Sequence, residues 1–127
     1  VLPFAVRFKS GSPVHEQVLL AVRRAIVGGR LVPGDRFPSV RTLSQELRIS
    51  PATAHKVIST LTEEGVLSIE PGVGAIIRQK RPTTAEQREA LLEEEVERLV
   101  VGARLVALKL EDVLRAVRRA WNRLVKE

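Results

Sequence analysis

Two capped apolar repeats separated by only two residues constrain this chain more than any other feature. The first opens at Ser39 and places Val40, Leu43 and Leu47 on one face at spacings of three and four. The second opens at Ser50-Pro51 and continues through Ala54, Val57, Ile58 and Leu61. Ser at an N-cap accepts from an unpaired first-turn N–H, and Pro at the first helical position lacks only an N–H that has no partner there. Arg48 and Ile49 alone lie between the stripes. So short a connection prevents antiparallel packing and predicts a steep crossing with Ile49 in the corner. Gly65 closes the second helix. Val66–Glu70 and Ala75–Arg78 then read as a hairpin around Pro71-Gly-Val-Gly74. The order is that of a helix-turn-helix followed by a wing.

A helix held out by such a corner turns one face to solvent. Here that face carries Ala52, Thr53, His55, Lys56 and Ser59. Small, hydrogen-bonding and cationic side chains of this kind suit a DNA major groove. An ordinary polar helix face is the alternative at this level. The two glycines of the hairpin tip allow close approach to another backbone, and they serve a plain turn equally well.

Charge separates these readings in part. The 127-residue chain carries a net charge of +6, with 11 basic and 6 acidic side chains in residues 1–80 and 10 and 9 in residues 81–127. The positive excess therefore accompanies the helix-turn-helix, as expected for a polyanionic partner. Cysteine is absent, which excludes disulfides, Cys-ligated zinc and a Cys nucleophile. No apolar run has the length of a membrane span, and the N-terminus lacks a signal-peptide layout. A cytoplasmic protein with no membrane partner is expected.

The flanks are simpler. Phe4–Phe8 is a strand candidate that either pairs with the wing or covers a flank. Ser12-Pro13 is expected to cap the first helix, with Val14, Val18, Ala21, Val22, Ala25 and Ile26 as its buried stripe and Gly28-Gly29 as its end. Pro33-Gly34 has the composition of a type II turn. A basic linker over 78–82 marks the domain boundary. Thr83 to Glu86 reads as a capping box opening a long helix with Leu92, Val96, Leu99, Ala103 and Val106 on one face. A last helix begins near Leu110 and aligns Val113, Leu114, Val117, Trp121 and Leu124. Two such helices cannot bury both stripes alone, so they pack on the first domain or on a second copy. The heptad-like spacing favours a dimer seam.

The run Pro13–Ile77 resembles the N-terminal winged helix of GntR-family bacterial transcription regulators. The matching pieces are Pro13 with Glu16-Gln17, Ala25-Ile26 with Gly29, and Pro33-Gly34-Asp35-Arg36. They continue with Pro38-Ser39, Arg41, Leu43, Leu47, Ser50, Thr53, Leu61, Glu64-Gly65, Gly72 and Gly74. The short two-helix tail is similar to that of the YtrA-like subfamily, whose tails dimerise and lack a large effector domain. The resemblance implies DNA contact by Ser39, Arg41, Ser50, Ala52, Thr53, His55, Lys56, Gly72 and Gly74. Arg41 can pair with guanine or clamp phosphate, and Ser39 and Ser50 mark helix N-termini suited to phosphate. This chain departs from the family pattern at Ala52 and His55 in the second helix and at Ala75 in the wing; Pro51 stands where many members have Arg, although Pro is common in the YtrA-like branch. It also departs at Arg48, where a left-handed Gly is usual, and at Ala107 and Lys109 in the tail. A different base preference follows.

Other chemistry lacks a constellation. His15 and His55 have no nucleophile motif beside them, and no phosphate loop or dinucleotide fingerprint is present. Glu86, Glu89, Glu93 and Glu97 form an acidic row that reads as a solvated face or as partners for arginines of another subunit. The expected architecture is mainly α with a small β wing. Residues 1–80 form a winged helix-turn-helix DNA-binding domain and residues 81–127 a two-helix dimerisation tail. The expected function is a sequence-specific regulator, a repressor, binding double-stranded DNA at an inverted repeat as a homodimer. It is not an enzyme and uses no cofactor or metal; a small-molecule effector is left unidentified. The alternative is a winged-helix protein-interaction module without DNA binding.

Overall fold

The structure is a computed structural model and describes residues 2–78 and 84–125. Its elements are α1 (Val14–Val27), α2 (Val40–Leu47), α3 (Pro51–Glu63), β1 (Leu67–Glu70), β2 (Gly74–Ile77), α4 (Ala85–Leu105) and α5 (Leu110–Val125). The fold is mainly α with one two-stranded antiparallel sheet. The described residues fall into two compact units on either side of 79–83. Apart from Arg78, the linker expected over 78–82 lies outside the described residues, as does Thr83.

In the first unit α3 is the central element and packs on α1, α2 and β1. Val18 and Val22 of α1, Leu43 of α2, Val57 and Leu61 of α3, Leu31 and Leu67 are fully buried. Each such aliphatic side chain contributes about 1.5–3 kcal/mol on burial. β1 and β2 pair in register from Leu67 opposite Ile77 to Glu70 opposite Gly74. They are one residue offset at the start from the expected Val66–Glu70 and Ala75–Arg78.

The strand expected over Phe4–Phe8 does not form. The edge of β2 it would have needed is occupied by the connector before α2. Arg36 pairs antiparallel with Ile76. Phe37 N–H donates to the Ala75 carbonyl at 2.8 Å, and Ile77 N–H donates to the Asp35 carbonyl at 2.9 Å. The N-terminal segment covers a flank instead: Phe4 is buried and stacks on Phe37, ring centroids 5.9 Å apart.

The start of α1 also differs from expectation. Pro13 occupies the N-cap and no side chain caps the helix, so Ser12 does not play that part. Gln17 reaches back instead. Its Nε2 donates to the carbonyls of Lys9 and Ser12 at 2.8 and 2.9 Å, and its Oε1 accepts from Lys9 N–H at 3.0 Å. A side chain two-sided in its hydrogen bonding thus holds the entering chain. The buried stripe is rotated accordingly, with Leu19 buried and Val14 exposed. At Pro33-Gly34 the expected turn forms: Gly34 has φ 95° and Asp35 N–H donates to the Val32 carbonyl at 3.0 Å.

The second unit contains α4 and α5. The capping box at the start of α4 lies one residue later than the Thr83–Glu86 reading. Thr84 accepts from Gln87 N–H and Gln87 returns the bond to Thr84 N–H, each at 3.0 Å. Between the helices Ala107 takes φ 60°. The Asp112 carboxylate accepts from Lys109 N–H at 3.3 Å, the reverse of the bond a Ser cap at 109 would make. Ala103 is the one buried hydrophobic residue among those described here.

Candidate nucleic-acid interface

The interface is built outward from two helix starts. Ser39 caps α2, its Oγ accepting from Thr42 N–H at 3.1 Å while donating to Thr42 Oγ1. Ser50 caps α3 in the same way, accepting from Thr53 N–H at 3.1 Å with its hydroxyl 2.8 Å from that of Thr53. Each Ser satisfies one of the donors a helix start leaves open. The remaining first-turn N–H groups are those of Val40, Arg41 and Ala52, since Pro51 has none. Both starts can therefore accept an anion on backbone donors with the favourable end of the helix dipole behind them.

The turn between α2 and α3 is held by three features. Arg48 takes the left-handed conformation at φ 55°, φ being the angle that glycine adopts there without cost. Ser44 Oγ donates to the Ile49 carbonyl at 2.7 Å. Ile49 packs, half-buried, against the core. The corner lets Ala54, Val57 and Leu61 point into the core while Ala52, His55 and Lys56 on the opposite side stay exposed. Thr53 and Ser59 are half-buried at the margins. His55 Nδ1 lies 3.4 Å from Ser59 Oγ, so imidazole and hydroxyl present a paired polar edge one turn apart. Arg41 is exposed on the first turn of α2. Neither Arg41 nor Lys56 has a hydrogen-bond or ion-pair partner among the described residues. Their charges are thus available to an outside anion.

The hairpin tip carries Gly72 at φ 75° and Gly74 at φ 107°, and Val73 N–H closes the turn on the Glu70 carbonyl at 3.0 Å. A Cβ built on either glycine meets nothing within 4 Å. The backbone angle, rather than crowding within the chain, requires glycine here. The tip is open for another backbone to approach.

Two cations that the sequence reading did not offer as contacts lie beside the hairpin. Arg36 and Arg78 are both exposed at the base of the hairpin, and neither guanidinium has a hydrogen-bond or ion-pair partner among the described residues. Arg36 had a visible signal, the Pro-Gly-Asp-Arg run, but that run reads first as a turn. Its pairing with Ile76 is what adds it to the sheet. Among the described residues no group of three or more His, Asp or Glu is placed to hold a metal ion. No helix of the described residues is long and apolar enough to cross a membrane.

Comparison with known proteins identifies the family and the fold. Residues 14–77 match the model of the family described as bacterial regulatory proteins, gntR family. The HTH-type transcriptional repressor YtrA of Bacillus subtilis (strain 168) is 29% identical over 106 residues, covering 83% of this chain and 82% of the relative. The crystal structure of a transcriptional antiterminator from Listeria monocytogenes EGD-e shares the fold at TM-score 0.83 and 19% identity, over 96% of this chain and 92% of that one. AraR(DBD), solved in complex with operator ORX1, matches at TM-score 0.52 and 26% identity over 57% of this chain and 94% of that one. With the match beginning at the first residue of α1 and ending at the last of β2, the chain belongs to the GntR family of bacterial regulatory proteins, DNA-binding transcription regulators of winged-helix fold.

Proposed function

We infer that this regulator is a cytoplasmic repressor that binds an inverted-repeat operator as a homodimer. The observation that carries the reading is the outward face of α3, where Ala52, His55 and Lys56 stand exposed opposite a fully buried stripe. α3 enters the major groove, with Ala52 toward a thymine methyl and Thr53, His55 and Lys56 toward base edges and phosphate. Ser39 and Ser50 mark phosphate contacts at the starts of α2 and α3, and Arg41 pairs with guanine or phosphate. The tip at Gly72 and Gly74 meets the adjacent minor groove. The repressor assignment is supported by the likeness to YtrA over most of the chain.

The homodimer reading rests on the second unit. Leu92 is 65% exposed, Leu99 46% and Trp121 70%. Apolar rows this open on both α4 and α5 need cover, and a second copy supplies matching rows. Two-fold symmetry then predicts half-sites about one helical turn, roughly 34–36 Å, apart.

Selection of bound duplexes from a random library tests the function directly. An inverted repeat is expected, with affinity falling steeply as salt rises because phosphate contacts release counterions. Selection of no common sequence, with binding indifferent to salt, overturns the reading. A winged-helix protein-interaction module would behave in that way.

A further inference from the structure

Two side chains on the outward side of α3 fix what the helix is able to read. His55 is exposed, and Ser59, four residues on, is half-buried at the margin of the same face. Ser59 Oγ lies 3.4 Å from His55 Nδ1. Neither side chain has another hydrogen-bond partner among the described residues. A contact of that length on an open surface adds little to stability. What it decides is where the protons sit.

A neutral imidazole carries one proton, and the bond made by one ring nitrogen sets which nitrogen holds it. Two arrangements fit the distance. In one, Nδ1–H donates to Ser59 Oγ, and Nε2 is left as an acceptor at the tip of the ring. The hydroxyl proton then has no acceptor within the chain, at a half-buried position. In the other, the hydroxyl donates to Nδ1 and Nε2 keeps the proton, on the exposed tip where an outside acceptor reaches it. An imidazole nitrogen is more basic than a hydroxyl oxygen and is the better acceptor of the two, which favours the second. A helical hydroxyl has one other outlet, the carbonyl four residues back. Thr62 of the same helix takes it, donating to the Ile58 carbonyl at 2.7 Å. Ser59 is turned to the ring instead.

We propose that Ser59 is a positioning residue that holds His55 in its Nε2–H form, so that α3 presents a donor there and selects guanine at the base His55 meets. The inference rests on the major-groove reading of α3 and adds to it the identity of one base. Guanine offers two adjacent major-groove acceptors, N7 and O6. Cytosine offers a donor, adenine sets a donor beside its N7, and thymine sets a methyl group beside its O4. A single donor at the ring tip is therefore matched best by guanine. The opposite tautomer would present an acceptor and favour cytosine or adenine. His55 is one of the positions at which the chain departs from the family pattern, so its preference belongs to this chain's own pair of residues.

The test uses the full chain in two measurements. The first is selection from a random duplex library with the unmodified protein and with His55→Ala, Ser59→Ala and Ser59→Thr. The base read by His55 is the one whose preference His55→Ala abolishes, and guanine is expected there. Exchanging that guanine for cytosine is expected to weaken the unmodified protein roughly three- to tenfold. Ser59→Ala is expected to reduce this discrimination at least about twofold while preferences elsewhere stay unchanged. Ser59→Thr keeps the hydroxyl and is expected to restore it. The second measurement is imidazole nitrogen NMR of the free, isotope-labelled chain at about pH 8, where a histidine ring is neutral. The signals missing from His55→Ala are those of His55. Nε2 is expected at the position of a protonated ring nitrogen and Nδ1 at that of a bare one. The two are expected to move together in Ser59→Ala and apart again in Ser59→Thr.

A His55 ring protonated at Nδ1, ring nitrogens unmoved by Ser59→Ala, or cytosine or adenine at the His55 position overturns the proposal. So does a selected operator in which no position responds to His55→Ala, and that result leaves DNA binding by α3 standing. Selection of no common sequence by the unmodified chain overturns the major-groove reading itself.

Discussion

Arg23 Nη2 bridges both carboxylate oxygens of Glu64, at 2.8 and 2.7 Å, tying the middle of α1 to the C-cap of α3. The two side chains are 41 positions apart and close to half exposed. The bond acts on the helix that carries His55 and Lys56, at the end opposite its capped start.

Because the pair is open to solvent, its contribution is modest. Arg23→Ala and Glu64→Ala are each expected to destabilise the first unit by about 0.5–1 kcal/mol. A double-mutant cycle by urea denaturation should show coupling of the same size, reduced by added salt.

Arg41 and Lys56 separate two kinds of contact. If Arg41 reads a base, Arg41→Ala lowers affinity for the selected operator by about 1–3 kcal/mol while leaving binding to generic duplex nearly unchanged. Lys56→Ala, as a phosphate contact, weakens both kinds of duplex and reduces the salt slope by about one. Fluorescence anisotropy on labelled duplexes at several salt concentrations distinguishes the patterns.

Loss of the cap on α3 should be felt as stability before it is felt as affinity. Ser50→Ala removes the acceptor for Thr53 N–H and is expected to cost about 0.5–2 kcal/mol in chemical denaturation. The loss is confined to that one donor, and Pro51, at the first helical position, has no N–H that would need a partner.

Arg48 offers the opposite sign. Its φ of 55° strains any residue with a Cβ, by roughly 1–2 kcal/mol. Arg48→Gly removes that strain but adds freedom to the unfolded chain, so a net gain of about 0.5 kcal/mol or more is expected. The check is a rise in the unfolding midpoint with an unchanged denaturant slope.

The places where sequence and structure part have physical causes. Ser39 and Ser50 were legible because a hydroxyl, an apolar repeat and, at Pro51, a fixed φ all point to one helix start. Ser12 carries the same local signal, but Gln17 competes for the preceding backbone and moves the start to Pro13. Thr83 and Thr84 precede Glu86 and Gln87, so two registers satisfy one capping pattern and composition does not choose between them. Phe4–Phe8 alternates like a strand, yet alternation says nothing of whether a sheet edge is free. The acidic row of the tail was visible as spacing; that Glu89, Glu93 and Glu97 have no ion-pair partner among the described residues required coordinates. Arg36 was hidden because its contribution comes from pairing with Ile76, 40 positions away.

That pairing reaches further than the edge it seals. Gly34, Asp35 and Phe37 are all bonded to β2, and the next two residues are Pro38 and Ser39. The approach to α2 and the glycine tip are consequently parts of one stiff lever. On the proposed interface, a duplex that pushes on the tip would load Ser39 and Arg41 through the same rungs, and the two grooves would be sensed as a single geometry rather than as separate footholds.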